Sequence, residues 1–191
     1  VACMVHKSDG MNYAPQGRAL AVVQPGEFVF AAAFLEHGHI YGQCNGLLEA
    51  GATLKWVYDP DPRKLEAFSA RYPQARIARC FDEILADPQV RLVAAAAVPN
   101  ERGGIGCKVM QAGKDYFTDK TPFTTLDQLA EARRVVHQTG RKYMVYFSER
   151  LHVECAVKAG ELVKAGAIGE VVQVLGLGPH RLNAASRPSW F

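Results

Sequence analysis

The sequence has no Cys-x-x-Cys pair, no apolar run long enough for a membrane helix, and no block of like charge. Each absence narrows the class of protein. The five cysteines (Cys3, Cys44, Cys80, Cys107 and Cys155) are odd in number and widely spaced. That argues against a disulfide framework or a thiolate zinc site and fits reduced thiols in a cytoplasmic protein. The longest apolar stretch, FVFAAAFL, is strand-sized, far short of the roughly 18 residues of a membrane span. VACMVHKSDG lacks the apolar core of a signal peptide. A net charge of +3, spread along the chain, is too weak and diffuse to attract nucleic acid. Neither a membrane nor a nucleic acid is expected as a partner.

Apolar residues make up 49% of the 191-residue chain and charged residues 21%, which suits one globular domain or two small ones. Residues 1–26 show little periodicity and read as a surface arm. Met11 is a candidate natural start, which would make VACMVHKSDG an expression remnant. Regular alternation begins at Glu27. FVFAAAFL (28–35) predicts a strand buried on both faces, followed by a helix that stops at Gly51. TLKWVY (53–58) predicts a second strand, ending at Asp59, and PDPRKLEAFSARY a helix with proline in its first turn. A short strand near 75–78 and a helix near 81–86 follow. RLVAAAAV (91–98) reads as a buried strand ended by Pro99 and Asn100.

The next helix ends at Gly113, its start weakened by Gly103, Gly104 and Gly106. DYFT (115–118) is a strand. Thr125 caps a long helix stopped by Gly140. KYMVYF (142–147) is a strand, 153–165 a helix, and GEVVQVLGLG (169–178) a last strand. Such alternation implies an α/β fold with a doubly wound parallel sheet. Ligands of that architecture bind beyond the carboxyl ends of the strands.

The strand ends are therefore the places to look. The first loop, LEHGHIYG, lacks the G-x-G-x-x-G of dinucleotide folds. Gly38, Gly42 and Gly46 stand four apart, so the last two suit close helix packing and Gly38 suits approach of backbone to phosphate. Asp59 ends the second strand, 21 residues beyond Gly38. A carboxylate there can accept ribose hydroxyls, which leans toward NAD over NADP, while Arg63 and Lys64 could reverse that preference. Its plainer role is to open the Asp-Pro turn. His37 and His39 flank Gly38. An H-x-H pair can ligate a metal, but the sequence places no third ligand, so no metal is expected and the pair reads as polar lining of the loop.

The succession AAAFLEHGHIYG, VYDPDP, AAAAVPN, AGKDYFTDKTPF, TGRKYMVYFSERLH, GAIGEV, spanning about Phe28 to Gly178, resembles the glucose–fructose oxidoreductase / inositol dehydrogenase / MocA family (Gfo/Idh/MocA). The resemblance implies a Rossmann-like domain over 27–149, preceded by the arm, with a linker helix and only the start of a second α/β domain over 150–191. It implies that Glu36, His37, Gly38, His39, Ile40, Asp59, Pro99, Asn100, Asp119, Lys120, Ser148 and Arg150 line the NAD or NADP site. Lys120 would be the catalytic residue, placed to hydrogen-bond the substrate oxygen or pass it a proton. It also implies a sugar-like substrate and a homo-oligomer of the full-length protein.

Departures from the family pattern are plain. Proline comes one place late in Asp119-Lys120-Thr121-Pro122, and Ala97 and Val98 precede Pro99-Asn100 where the family has threonine. The family's second-domain aspartate and histidine lie beyond Phe191, so the chain is expected to be the leading part of a longer protein. A non-catalytic nucleotide-binding sensor or subunit, or a different Rossmann-like enzyme, remains an alternative.

Overall fold

The computed structural model describes residues 21–148, 153–178, 185 and 187–190. The chain divides after Phe147 into two compact units.

In the first unit, six parallel strands run in the order β3-β2-β1-β4-β5-β6. They are β1 (Val29–Ala33), β2 (Thr53–Tyr58), β3 (Arg76–Ile77), β4 (Val90–Ala95), β5 (Asp115–Asp119) and β6 (Tyr143–Tyr146). The order reverses between β1 and β4, which places a crevice at their carboxyl ends. Between the strands run α1 (His39–Glu49), α2 (Pro62–Arg71), α3 (Phe81–Ala86), α4 (Arg102–Gln111) and α5 (Leu126–Thr139).

The two-residue period of a strand sorts the core into two layers. Phe30, Ala32, Leu92 and Ala94 face Ile40 and Cys44 of α1 and Phe68 of α2. Ala31, Ala33, Val93 and Ala95 face Phe81 and Ile84 of α3, Val109 and Met110 of α4, and Val135 of α5. Both faces of the central strands are thus covered, which is why these stretches read as continuous apolar runs.

Helix ends follow their capping residues. The Asp61 side chain accepts the Arg63 N–H at the start of α2, and Thr125 accepts the Gln128 N–H at the start of α5. Gly140 closes α5 in the left-handed conformation, φ 65°. A Cβ at Gly42 would lie 2.6 Å from the Tyr146 hydroxyl, whereas Gly46 faces open space. Residues 22 and 23 lie along the end of α1, where their N–H groups donate to the Ala50 carbonyl. Residues 1–20 of the expected arm lie outside the described residues.

A buried lysine and a half-buried aspartate tie the rim of the sheet. Lys114, 4% exposed, donates from Nζ to the Asp87 and Val90 carbonyls at 2.6 and 2.9 Å. Burial pushes its pKa down, partly offset by Asp87. Burial of Asp87 opposes its ionisation, yet hydrogen bonds from Lys55, Trp56 Nε1 and the Gln89 N–H hold its carboxyl down at about 2.

The second unit contains α6 (Glu154–Lys164). The strand expected over 169–178 does not form, and Val172, Val174, Leu175 and Leu177 are exposed. A strand exists only through ladder hydrogen bonds to a neighbour, and no other strand is described in this unit.

Two glycines of α4, one residue apart across Ile105, are expected to respond in opposite directions. A Cβ at Gly106 would lie 2.4 Å from the Tyr143 ring and 2.6 Å from that of Tyr116, whereas Gly104 has open space. In urea unfolding, Gly104→Ala should stabilise by about 0.5–1 kcal/mol through helix propensity. Gly106→Ala should destabilise by about 1–3 kcal/mol through overpacking. Changes of the same sign would contradict this packing.

The Asp87 cluster has its own signature in acid. A depressed carboxyl contributes stability that is full above the unfolded pKa, about 4, and is lost as pH falls through about 2. Asp87→Asn should flatten the stability profile across that window. An unchanged slope would remove Asp87 from the acid response.

Candidate functional site

Three strand ends converge at the reversal point. Beyond β1, Phe34 takes a left-handed φ of 55° and turns the chain. Its N–H donates to the Tyr58 carbonyl at the end of β2, and its carbonyl accepts the Ala96 N–H beyond β4. His37 continues the link by donating its N–H to the Ala96 carbonyl at 3.1 Å. The loop is thereby laced to the strands on either side before α1 begins. Gly38 is the N-cap, with φ −60° and no side chain of its own to cap the helix. Gly38 therefore owes nothing to a left-handed backbone. The His37 Nδ1 accepts the first helical N–H, that of His39, at 3.2 Å, and the aligned peptide dipoles still make this end of α1 the positive one.

The carboxylate of Asp119 stands opposite, at the end of β5 and 1% exposed. His39 Nδ1 lies 2.8 Å from its Oδ1, and His37 Nδ1 lies 3.2 Å from its Oδ2. The backbone N–H of Lys120 donates to Oδ1 at 2.8 Å. Arg102, also 1% exposed, approaches Oδ2 at 3.5 Å through Nη2. Its Nε donates to the Ala97 carbonyl at 2.7 Å and its Nη1 to the Thr121 carbonyl at 3.1 Å. The Lys120–Thr121 peptide is cis. Burial pushes His37 below the ordinary histidine range, as do the charges of His39, Arg102 and Lys120, against the pull of Asp119. The pKa of Arg102 is likewise lowered by burial, with Asp119 opposing.

The remaining residues singled out by the sequence take separate places. Glu36 forms an ion pair with Lys64 at the start of α2. Ile40 is fully buried in the core beneath the loop and offers only its backbone. Pro99 is half-buried and Asn100 is exposed, with the Asn100 carbonyl accepting from Gln128 Nε2. Ser148 belongs to the second unit, and Arg150 lies outside the described residues.

Asp59 is 4% exposed, and both of its oxygens are engaged: Oδ2 accepts the Leu35 N–H at 2.6 Å, and Oδ1 accepts the Asp61 N–H at 2.8 Å. It fastens two loops together. Beside it lies an open depression of about 350 Å³ lined by Leu35, Tyr41, Asp61, Arg63, Lys64 and Ala67. Sequence reasoning missed Arg102 altogether. An arginine two residues after a Pro-Asn turn reads as solvated, and only tertiary structure shows that it is buried against Asp119.

The six-stranded parallel sheet, with its crevice at the strand reversal, is that of an NAD-binding Rossmann domain, and the family description "Oxidoreductase family, NAD-binding Rossmann fold" matches residues 30–147. The chain belongs to that family, Gfo/Idh/MocA. It is 28% identical over 132 residues to the D-xylose dehydrogenase of Paenarthrobacter nicotinovorans, covering 66% of this chain and 34% of that one. A crystal structure from Erwinia carotovora atroseptica SCRI1043, assigned to the oxidoreductases, superposes with a TM-score of 0.83 at 42% identity, covering 86% of this chain and 49% of that one. The WlbA dehydrogenase of Bordetella pertussis, solved with NADH and UDP-GlcNAcA, has a TM-score of 0.65 at 15% identity over 75% of this chain and 41% of that one, a likeness of fold alone. The chain thus spans about a third to a half of the length of these relatives. Among the described residues, no helix is long and apolar enough to cross a membrane.

The engagement of Asp59 has a measurable consequence. Asp59→Ala orphans two backbone donors and should cost about 2 kcal/mol or more in urea unfolding. Asp59→Asn, which keeps one acceptor oxygen, should cost less. An unchanged unfolding midpoint for Asp59→Ala would show that the turn does not need the carboxylate.

Proposed function

We propose that this chain is the nucleotide-binding part of an NAD-dependent dehydrogenase that moves a hydride between nicotinamide C4 and a carbon–oxygen centre of a sugar, polyol or related hydroxyl compound. The observation that carries the proposal is the convergence of the start of α1 with Asp119 and Lys120 at the carboxyl ends of the strands. The helix end and the loop N–H groups suit the pyrophosphate. Nicotinamide bound at this crevice would supply the hydride chemistry. Lys120 would polarise the substrate oxygen, and Asp119 would fix the lysine through its backbone N–H. The sugar class is supported by the likeness to a D-xylose dehydrogenase.

NAD is preferred over NADP for a reason other than a free Asp59. Arg63 is paired with Asp61, and Lys64 with Glu36. The two cations beside the depression are thus matched by two carboxylates, and a ribose 2′-phosphate would have to compete with both. NADH should therefore bind more tightly than NADPH in calorimetric titration. Asp61→Ser keeps the capping oxygen of α2 and releases Arg63, so it should shift the preference toward NADPH by about tenfold. Failure of both nucleotides to bind the folded protein would overturn the proposal.

A non-catalytic nucleotide sensor is the second reading. It is favoured by the saturation of Asp119 with His39, Arg102 and the Lys120 N–H. Lys120→Ala in the full-length protein separates the two. Catalysis predicts that turnover collapses while NADH affinity stays within a few-fold. Undiminished turnover would remove Lys120 from the mechanism.

A further inference from the structure

We propose that His37, His39 and Asp119 form a binding site for a divalent transition-metal ion of the zinc class. The sequence offers only the H-x-H pair; the fold brings the third ligand from a residue 80 positions away. Two imidazole nitrogens and one carboxylate oxygen suit zinc, cobalt and nickel. One ligand atom from each of the three residues lies within 4.8 Å of the other two. The nitrogen–oxygen separations facing Asp119 are 2.8 and 3.2 Å. Ligands at about 2.0–2.1 Å around a tetrahedral ion stand roughly 3.3 Å apart. Small rotations of the two rings would therefore complete the set. The fourth position would be left to water, as at an open metal site rather than a closed structural one.

The hydrogen bonding of His37 also points to a cation. Its Nδ1 lies 3.2 Å from the His39 N–H, which needs a lone pair there. With its lone pair exposed on Nδ1, the ring also sets that nitrogen 3.2 Å from the Asp119 Oδ2, acceptor against acceptor. An ion between His37 Nδ1, Asp119 and His39 would turn the opposed lone pairs into ligands, in exchange for the bond from the His39 N–H. Arg102 works against the ion, because its Nη2 lies 3.5 Å from Oδ2. Its two shorter bonds, to the Ala97 and Thr121 carbonyls, hold the guanidinium whether or not Asp119 is shared. The cationic neighbour argues for modest affinity, not for exclusion. The site goes beyond the nucleotide reading and does not depend on it.

The test is a Co2+ titration of the chelator-treated protein without nucleotide, followed by visible absorption and calorimetry. One ion per chain is expected, with d–d bands and no thiolate charge-transfer band, which separates this site from the exposed thiols of Cys80 and Cys155. His37→Ala and His39→Ala should each weaken binding at least ~10-fold. His37 is 29% exposed, so its variant carries the test should His39→Ala fail to fold. No saturable binding, binding with a thiolate band, or an affinity unchanged by His37→Ala would overturn the proposal.

Discussion

A carboxylate with almost no exposure to water must be neutralised by its surroundings, and at Asp119 that requirement organises the whole carboxyl rim of the sheet. Arg102 comes from the start of α4, His37 and His39 from the first loop and the start of α1, and an N–H from Lys120. The partners come from the three connections that follow β1, β4 and β5. Satisfying one buried charge therefore fixes the relative positions of β1, β4 and β5 at the reversal point. Stranding such a charge by removing its partner typically costs about 3–5 kcal/mol, so the cluster is a constraint on the fold as well as a candidate site.

The two strand-end aspartates divide the work differently. Asp59 spends both oxygens on backbone N–H groups and holds two loops together. Asp119 accepts one backbone N–H and gathers the side chains of His37, His39 and Arg102 around it. Lys114 and Lys120, six residues apart, flank β5 at its two ends. Lys114 is held by two carbonyls, whereas Lys120 stands at the carboxyl end, where its charge lowers the pKa of His37. Position at a strand terminus thus does not by itself fix which partners a charged side chain takes.

This distinction marks the limit of the sequence. The α/β architecture was legible because the central strands are apolar on both faces, and the caps Thr125 and Gly140 mark α5 by local chemistry. Asp119 and Lys120 could be singled out because they end a strand within a recognisable family pattern. The environment of Asp119 was not legible, since Arg102, His37 and His39 reach it only through tertiary packing. The apolar period of 169–178 predicts a strand, but periodicity reports a preference for burial and says nothing about whether a partner strand exists. The glycines of α4 were discounted as helix breakers for a similar reason: Gly106 is set by the rings of Tyr116 and Tyr143, which no local pattern reveals.

The central claim is that the nucleotide lies across the strand reversal, over the start of α1 and beside Asp119. The most direct measurement is a titration of the isotopically labelled protein with NADH, followed by backbone amide resonances. Shifts concentrated at His37 to Ile40, at Val98 and Asn100, and at Lys120 are the predicted result. Binding that leaves these amides unmoved, or that perturbs only the opposite rim of the sheet, would contradict the account.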